Sequence, residues 1–277
     1  MAKLPKRAAE RVIAGLKKYQ PILTSLKARD VNESDTVVIV TDLLHDLFGY
    51  DKYSEITSEH MIKSTFCDLA INLDNALALL VEVKAIGLDL KENHVRQAVD
   101  YAANKGCEWV CLTNGVSWQV YKVCFTKPIQ TELVVEFNVL ELNSRNEDHV
   151  DLIGLLAKEG WQKANLGEYH SQRQALSRFT LGAILLSEPV LDAVRKHVRK
   201  LSPDVKVDVE EIRVVLEAEV LKREVLEGEK ADAARKQIAR AEARKLRDSE
   251  QTESAPPATA PTSEKAGAAT SSTPPTS

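Results

Sequence analysis

Apolar and polar residues alternate or cluster along the chain in patterns that change type three times. The run 73–87, LDNALALLVEVKAIG, is apolar from Ala76 to Val83 except for Glu82, and Lys84 follows. It reads as a strand buried on both faces. Before it, TFCDLAIN alternates. After it, LKENHVRQAVDYAANKG has helical spacing and stops at Gly106. CEWVCLT, VSWQVYKV and TELVVEFNVL then read as strands, with Asn114-Gly115 as a two-residue hairpin turn. Upstream, Val37, Val40, Leu44 and Leu47 form the apolar stripe of a helix, and Glu33 extends that stripe by one turn.

Beyond residue 144 the strand signals stop. EDHVDLIGLLAKEG and LGAILLSEPVLDAVRKHVRKLSP have helical spacing, the second broken near Pro189. The stretch after Val209 reads as one long helix through Ile212, Leu216, Val220 and Leu226. The pattern divides the chain into a basic N-terminal helix at 1–29, an α/β domain at 30–143, a helical region at 144–248 and a disordered tail at 249–277. That tail holds five of the ten prolines among Ser, Thr, Ala and Glu and cannot bury enough apolar surface to offset its ordering entropy.

Charge alters this picture at two places. The chain carries a formal −4, yet residues 1–29 hold Lys3, Lys6, Arg7, Arg11, Lys17, Lys18, Lys27 and Arg29 against Glu10 alone. Such a segment can meet an anion that the rest of the chain repels, or be a solvated basic helix face. The four cysteines form no CxxC pair and sit in apolar surroundings, as reduced thiols of a cytoplasmic protein do. No apolar run of about 18 residues suits a membrane span, and Lys17, Lys18 and Gln20 interrupt any signal-peptide core.

The second place is the buried strand. An unpartnered carboxylate or ammonium there costs several kcal/mol, on the order of the desolvation penalty of an ion. Glu82 and Lys84 share a strand face, and the preceding strand offers Asp68. Two carboxylates and a lysine suit a hard divalent cation and an activated water; an internal ion network of the three is the purely structural alternative. A plain two-residue turn at Asp74-Asn75 would set Asp68 opposite Val81, with Glu82 on the other face. A shared site therefore requires a three-residue connection, Asp74-Asn75-Ala76, or a nearby bulge. Glu33 points inward by its spacing, although Asp30-x-x-Glu33 also has the form of a capping box. Gln97 and Tyr101 lie one turn apart on the next helix and form a polar seam with His94.

Taken in order, CDLAI, LLVEVKA, HVRQAVDYA and VCLTNGVSWQVY resemble the nuclease domain at the N-terminus of type I restriction enzyme R subunits. That domain is a branch of the PD-(D/E)xK nuclease superfamily. The resemblance covers about residues 30–125 and implies an α/β, restriction-endonuclease-like mixed sheet flanked by helices. It implies Mg²⁺ (or Mn²⁺ in its place) on Asp68 and Glu82, with Lys84 orienting or activating the attacking water and steadying the phosphate. Glu33 matches the supporting helix carboxylate, and Gln97 and Tyr101 match a motif for catalysis and DNA engagement. The implied reaction is hydrolysis of a DNA phosphodiester in restriction or defence, with RNA also open as substrate and Lys17 and Lys18 as phosphate contacts.

No proline precedes Asp68, and no GxxxxGK[ST] loop occurs, so no ATP-driven motor is expected. The rival expectation is a catalytically silent nucleic-acid-binding or assembly protein that keeps the fold. Cutting both strands of a duplex calls for two sites, which makes the helix from Val209 a candidate homodimer interface.

Overall fold

The computed structural model describes residues 3–62 and 65–253, their side chains excepted at 59–62, 65–66, 92 and 244–253. Two compact units meet between Gln174 and Ala175. The first is α/β. Two helices, α1 (Lys6–Ala28) and α2 (Glu33–Asp46), precede the strands β1 (Ile56–Ile62), β2 (Thr65–Leu73) and β3 (Ala76–Val83). Helix α3 (Glu92–Lys105) leads to β4 (Trp109–Thr113), β5 (Ser117–Cys124) and β6 (Gln130–Asn138). The strands form one six-stranded sheet in sequence order, antiparallel throughout except for β3 and β4. Parallel neighbours need a long crossover, and α3 supplies it.

Alternation along the strands builds two cores. On one face Leu69, Ile71, Leu79, Val81, Val83 and Trp118 pack with Val12, Leu16 and Leu23 of α1 and Val40, Leu43 and Leu44 of α2. On the other, Ala70, Leu80, Val110 and Leu112 pack with Val95, Ala98, Tyr101 and Ala102 of α3. Gly106 ends α3 in the left-handed region, at φ 70°, a conformation that costs glycine no Cβ clash.

The basic helix is part of this unit. Its buried stripe runs Ala8, Val12, Leu16, Tyr19 and Leu23. Arg11 pairs through both Nη atoms with Glu159 at 2.7 Å and donates to Leu47 O and Phe48 O just past α2. Lys3 pairs with Glu147 at 2.9 Å. With Lys18 paired to Asp46, three of the eight N-terminal cations are tied to the protein's own acids. The short helices α4 (Glu147–Gly154), α5 (Lys158–Gln162) and α6 (Asn165–Ala175) complete the unit.

The register condition is met by the second of its two solutions, the bulge, and one local expectation, the two-residue β4–β5 turn, changes. The Asp74-Asn75 connection has two residues, both at positive φ, and Leu73 faces Ala76. The register shift instead comes from a bulge: Asn72 faces Leu77 while Ile71 faces Leu79, so Ala78 is the extra residue. The β4–β5 turn is longer than two residues, because the ladder closes at Thr113 with Trp118. Asn114 Oδ1 accepts from Val116 N–H and Ser117 N–H there, a side-chain turn in place of the tight backbone one. Strand β1, with its Ser and Glu content at the sheet edge, was not anticipated.

The second unit is helical: α7 (Arg178–Leu185), α8 (Glu188–Leu201), α9 (Val209–Val215), α10 (Arg223–Leu226) and α11 (Glu229–Glu253). Pro189 sits in the first turn of α8, where its missing N–H costs nothing. The single long helix expected after Val209 is instead broken. A π turn at Leu216–Val220 ends at extended Leu221, and Glu227 is extended before Gly228 at φ 93°. Ile212, Ala231 and Ala234 are its buried positions. Helix α11 continues to Glu253, and the rest of the expected disordered tail lies outside the described residues. The four cysteines are free.

Candidate active site

Leu69 faces Val81 across β2 and β3, and continuing that ladder by one pair sets Asp68 level with Glu82. Here the ladder between β2 and β3 ends at Leu69 with Val81, while β3 goes on with β4 through Glu82 with Leu112 and Val83 with Thr113. Asp68 Oδ2 bridges the opening by accepting from Val83 N–H at 2.7 Å. The bulge at Ala78 is thus what brings the two acids to one level.

Glu82 is 6% exposed. Its Oε1 accepts from Lys84 Nζ at 2.8 Å, and its Oε2 is buried with no hydrogen-bond partner. Lys84 follows the last residue of β3, its N–H donating to Thr113 O at 2.8 Å. Its ammonium also stands 3.5 Å from Glu33 Oε1. Glu33 is the first residue of α2, but it takes no part in a capping box. The cap is Asn32, whose Oδ1 accepts from Asp35 N–H at 2.9 Å.

Three carboxylates therefore surround one ammonium, and the protonation preferences follow. Burial pushes the Glu82 carboxyl above its ordinary range; Lys84 opposes this, and Asp68 and Glu33 add to it. For Lys84, burial works against the charge, but Glu82, Glu33 and Asp68 outweigh it and hold the ammonium above its usual value. Cys67 beside Asp68 feels the same environment: burial first, then Glu82 and Asp68, push its thiol up to about 12. The cluster has more negative than positive charge and favours any added cation.

The remaining sequence candidates are dispersed. Gln97 is exposed, whereas Tyr101 is 2% exposed within the α3 core, where burial, then Cys67 and Cys107, raise its pKa. The two residues are one turn apart but do not form a single solvent-facing seam. Lys18 is held by Asp46 Oδ2 at 2.5 Å and lies over the Tyr19 ring. Asp46 ends α2 and Glu33 begins it, so Lys18 is tied down about 20 Å along that helix from the acids. Lys17 neighbours it on α1.

Asp68 and Glu82 form the pair of carboxylates that would hold a metal. Among the described residues no group of three or more His, Cys, Asp and Glu is arranged for one. Two carboxylates completed by water nevertheless suit Mg²⁺, and Glu82 Oε2 is a buried acceptor with no hydrogen-bond partner, although Oε1 is paired with Lys84. The donor set fits the ion.

The fold thus brings acids from two adjacent strands of a mixed sheet to a lysine at the end of its parallel pair. Residues 39–137 match the family described as type I restriction enzyme R protein N terminus, about a third of the chain. This match spans the sheet, α3 and all but the first residues of α2, and is the domain that the sequence resembles. Glu33 lies outside the matched stretch. No curated protein and no solved structure matches the chain. No described helix is long and apolar enough to cross a membrane.

Proposed function

We propose that this chain is a Mg²⁺-dependent nuclease of PD-(D/E)xK type that hydrolyses DNA phosphodiester bonds in restriction or defence. The observation that carries this reading is Glu82 Oε2, a buried carboxylate oxygen without a partner, level with Asp68 and beside Lys84. An unsatisfied buried oxygen of this kind costs stability, and groups held in such environments cluster at functional sites. Asp68 and Glu82 would hold the metal, which when bound polarises the phosphate and eases deprotonation of a water.

Lys84 serves as a cation in this scheme. Its raised pKa suits an ammonium that steadies phosphate charge and orients the water, and disfavours it as a general base in the arrangement seen. Glu33, 3.5 Å from that ammonium, restrains its position. Gln97 is exposed on α3 and would meet a DNA strand from that side, while buried Tyr101 supports the α3 side of the site.

Cleavage of plasmid DNA, linear DNA and RNA with Mg²⁺ or Mn²⁺ tests the proposal, comparing the wild type with Asp68→Ala and Lys84→Ala. Loss of cleavage by at least about 100-fold in both variants is expected; equal activity in all three proteins rejects the site.

A second reading, a silent DNA-binding or assembly protein, draws on the Lys84–Glu82 pair, which partly satisfies both groups internally. It predicts salt-sensitive DNA binding with no cleavage under any metal.

A further inference from the structure

The segment leaving β3 is held from both sides. Lys84 N–H donates to Thr113 O at 2.8 Å, and a turn closes at Leu88 N–H to Ala85 O at 2.9 Å. Leu88 O in turn accepts from Asn114 Nδ2 at 2.9 Å. On the other side Asp30 Oδ1 lies so close to Gly87 that a Cβ there would stand 2.0 Å from it. The Leu88 side chain is 42% exposed, so its own packing contributes little to holding the segment.

Asn114 is 7% exposed and uses both ends of its amide. Its Oδ1 accepts from Val116 N–H at 3.1 Å and Ser117 N–H at 2.7 Å, which shapes the β4–β5 turn. Its Nδ2 ties that turn to a carbonyl 26 residues earlier. Asparagine and glutamine alone carry an acceptor and a donor on one planar amide, and the shorter side chain also suits the turn.

We propose that Asn114 is a positioning residue for Lys84. By tying Leu88 it fixes the direction in which the chain leaves β3, and so holds the Lys84 ammonium between Glu82 and Glu33. The catalytic consequence rests on the nuclease reading above. Lys84 lies just beyond the strand, so its backbone is set by the Thr113 bond on one side and by this segment on the other, which Ile86 anchors in the core at 1% exposure and Asn114 ties beyond it at Leu88. A displacement of about 1 Å at such a group is enough to cost a large factor in rate.

Asn114→Asp isolates the role: it keeps the oxygen that accepts from Val116 and Ser117 but replaces the donor to Leu88 O with a second acceptor. With lysines labelled at ¹³Cε, the Lys84 signal is expected to move toward that of solvent-exposed lysines, while that of Lys163, an exposed lysine just past α5, stays in place. Hydrogen exchange over 85–91 should quicken, and kcat should fall about tenfold with KM for DNA unchanged. Gly87→Ala displaces the same segment from the Asp30 side and is expected to give the same signature, which covers the case in which Asn114→Asp does not fold.

A native Lys84 signal in the folded variants overturns the proposal, as does an unchanged kcat when exchange over 85–91 has quickened. If the wild type cleaves nothing, the nuclease reading fails, and the Lys84 signal alone decides whether Asn114 positions it.

Discussion

Asp68 of β2 accepts a hydrogen bond from the backbone N–H of Val83 at 2.7 Å, the residue between Glu82 and Lys84. A side chain thus replaces the inter-strand ladder where β2 and β3 part, so the carboxylate proposed to hold a metal also has a structural task. Asparagine preserves an acceptor oxygen there and alanine does not. Asp68→Asn is therefore expected to be more stable than Asp68→Ala by about 1 kcal/mol in urea denaturation, with cleavage lost in both. Equal stabilities would mean that the Val83 bond contributes nothing.

Glu82 carries the opposite balance. Its carboxyl is raised in the folded state by burial, so the native protein binds a proton more tightly than the unfolded chain does. Stability is then lost as pH rises from the ordinary glutamate value through the folded-state pKa. Glu82→Gln removes this dependence. It should be more stable than wild type by about 1 kcal/mol at pH 8, with the difference shrinking as pH falls, while cleavage disappears. Thermal melts across pH 4–8 check the sign.

Arg11 and Glu159 behave in the reverse sense. The Arg11 guanidinium holds the Glu159 carboxyl below its usual range, against a smaller opposing effect of burial. The stability it contributes is present at neutral pH and lost as pH falls through the depressed folded-state pKa. Arg11→Met, which also abandons the carbonyls of Leu47 and Phe48, is expected to cost about 2–3 kcal/mol near pH 7. Denaturation curves for the variant and wild type should draw closer in acid, where only the loss of the two carbonyl bonds remains.

Lys17 and Lys18 separate in a salt titration of DNA binding. If α1 meets the phosphate backbone, Lys17→Ala should reduce the slope of log K against log salt by about 1. Lys18→Ala should reduce it less, because Asp46 already holds that ammonium. Equal losses would show that DNA displaces Asp46.

Asp68, Glu82 and Lys84 were legible as a group because ionic residues interrupt an otherwise apolar pattern, and the face-sharing condition could be written down from strand alternation alone. The bulge that meets it was one of two stated solutions; nothing in DNALAL selects Ala78 as the extra residue over a longer turn. What sequence could not supply were partners far along the chain. Lys18 read as an available cation because Asp46 is 28 residues away, and Asn114 read only as a turn former because Leu88 is 26 residues away. The long C-terminal helix failed for a local reason instead: Ile212, Leu216, Val220 and Leu226 keep the apolar spacing, but the backbone turns extended at Leu221 and again at Glu227 before Gly228.

The bulge makes hairpin length a heritable constraint. A one-residue insertion or deletion between Asp68 and Glu82 must be absorbed at Ala78 or at the Asp74-Asn75 turn, or it sends one acid to the opposite face. Lineages that keep the chemistry should therefore tolerate changes of residue in this hairpin far better than changes of length. The exposed β5–β6 turn around Phe125 and Ile129 is under no such parity rule and is where their chains are free to lengthen.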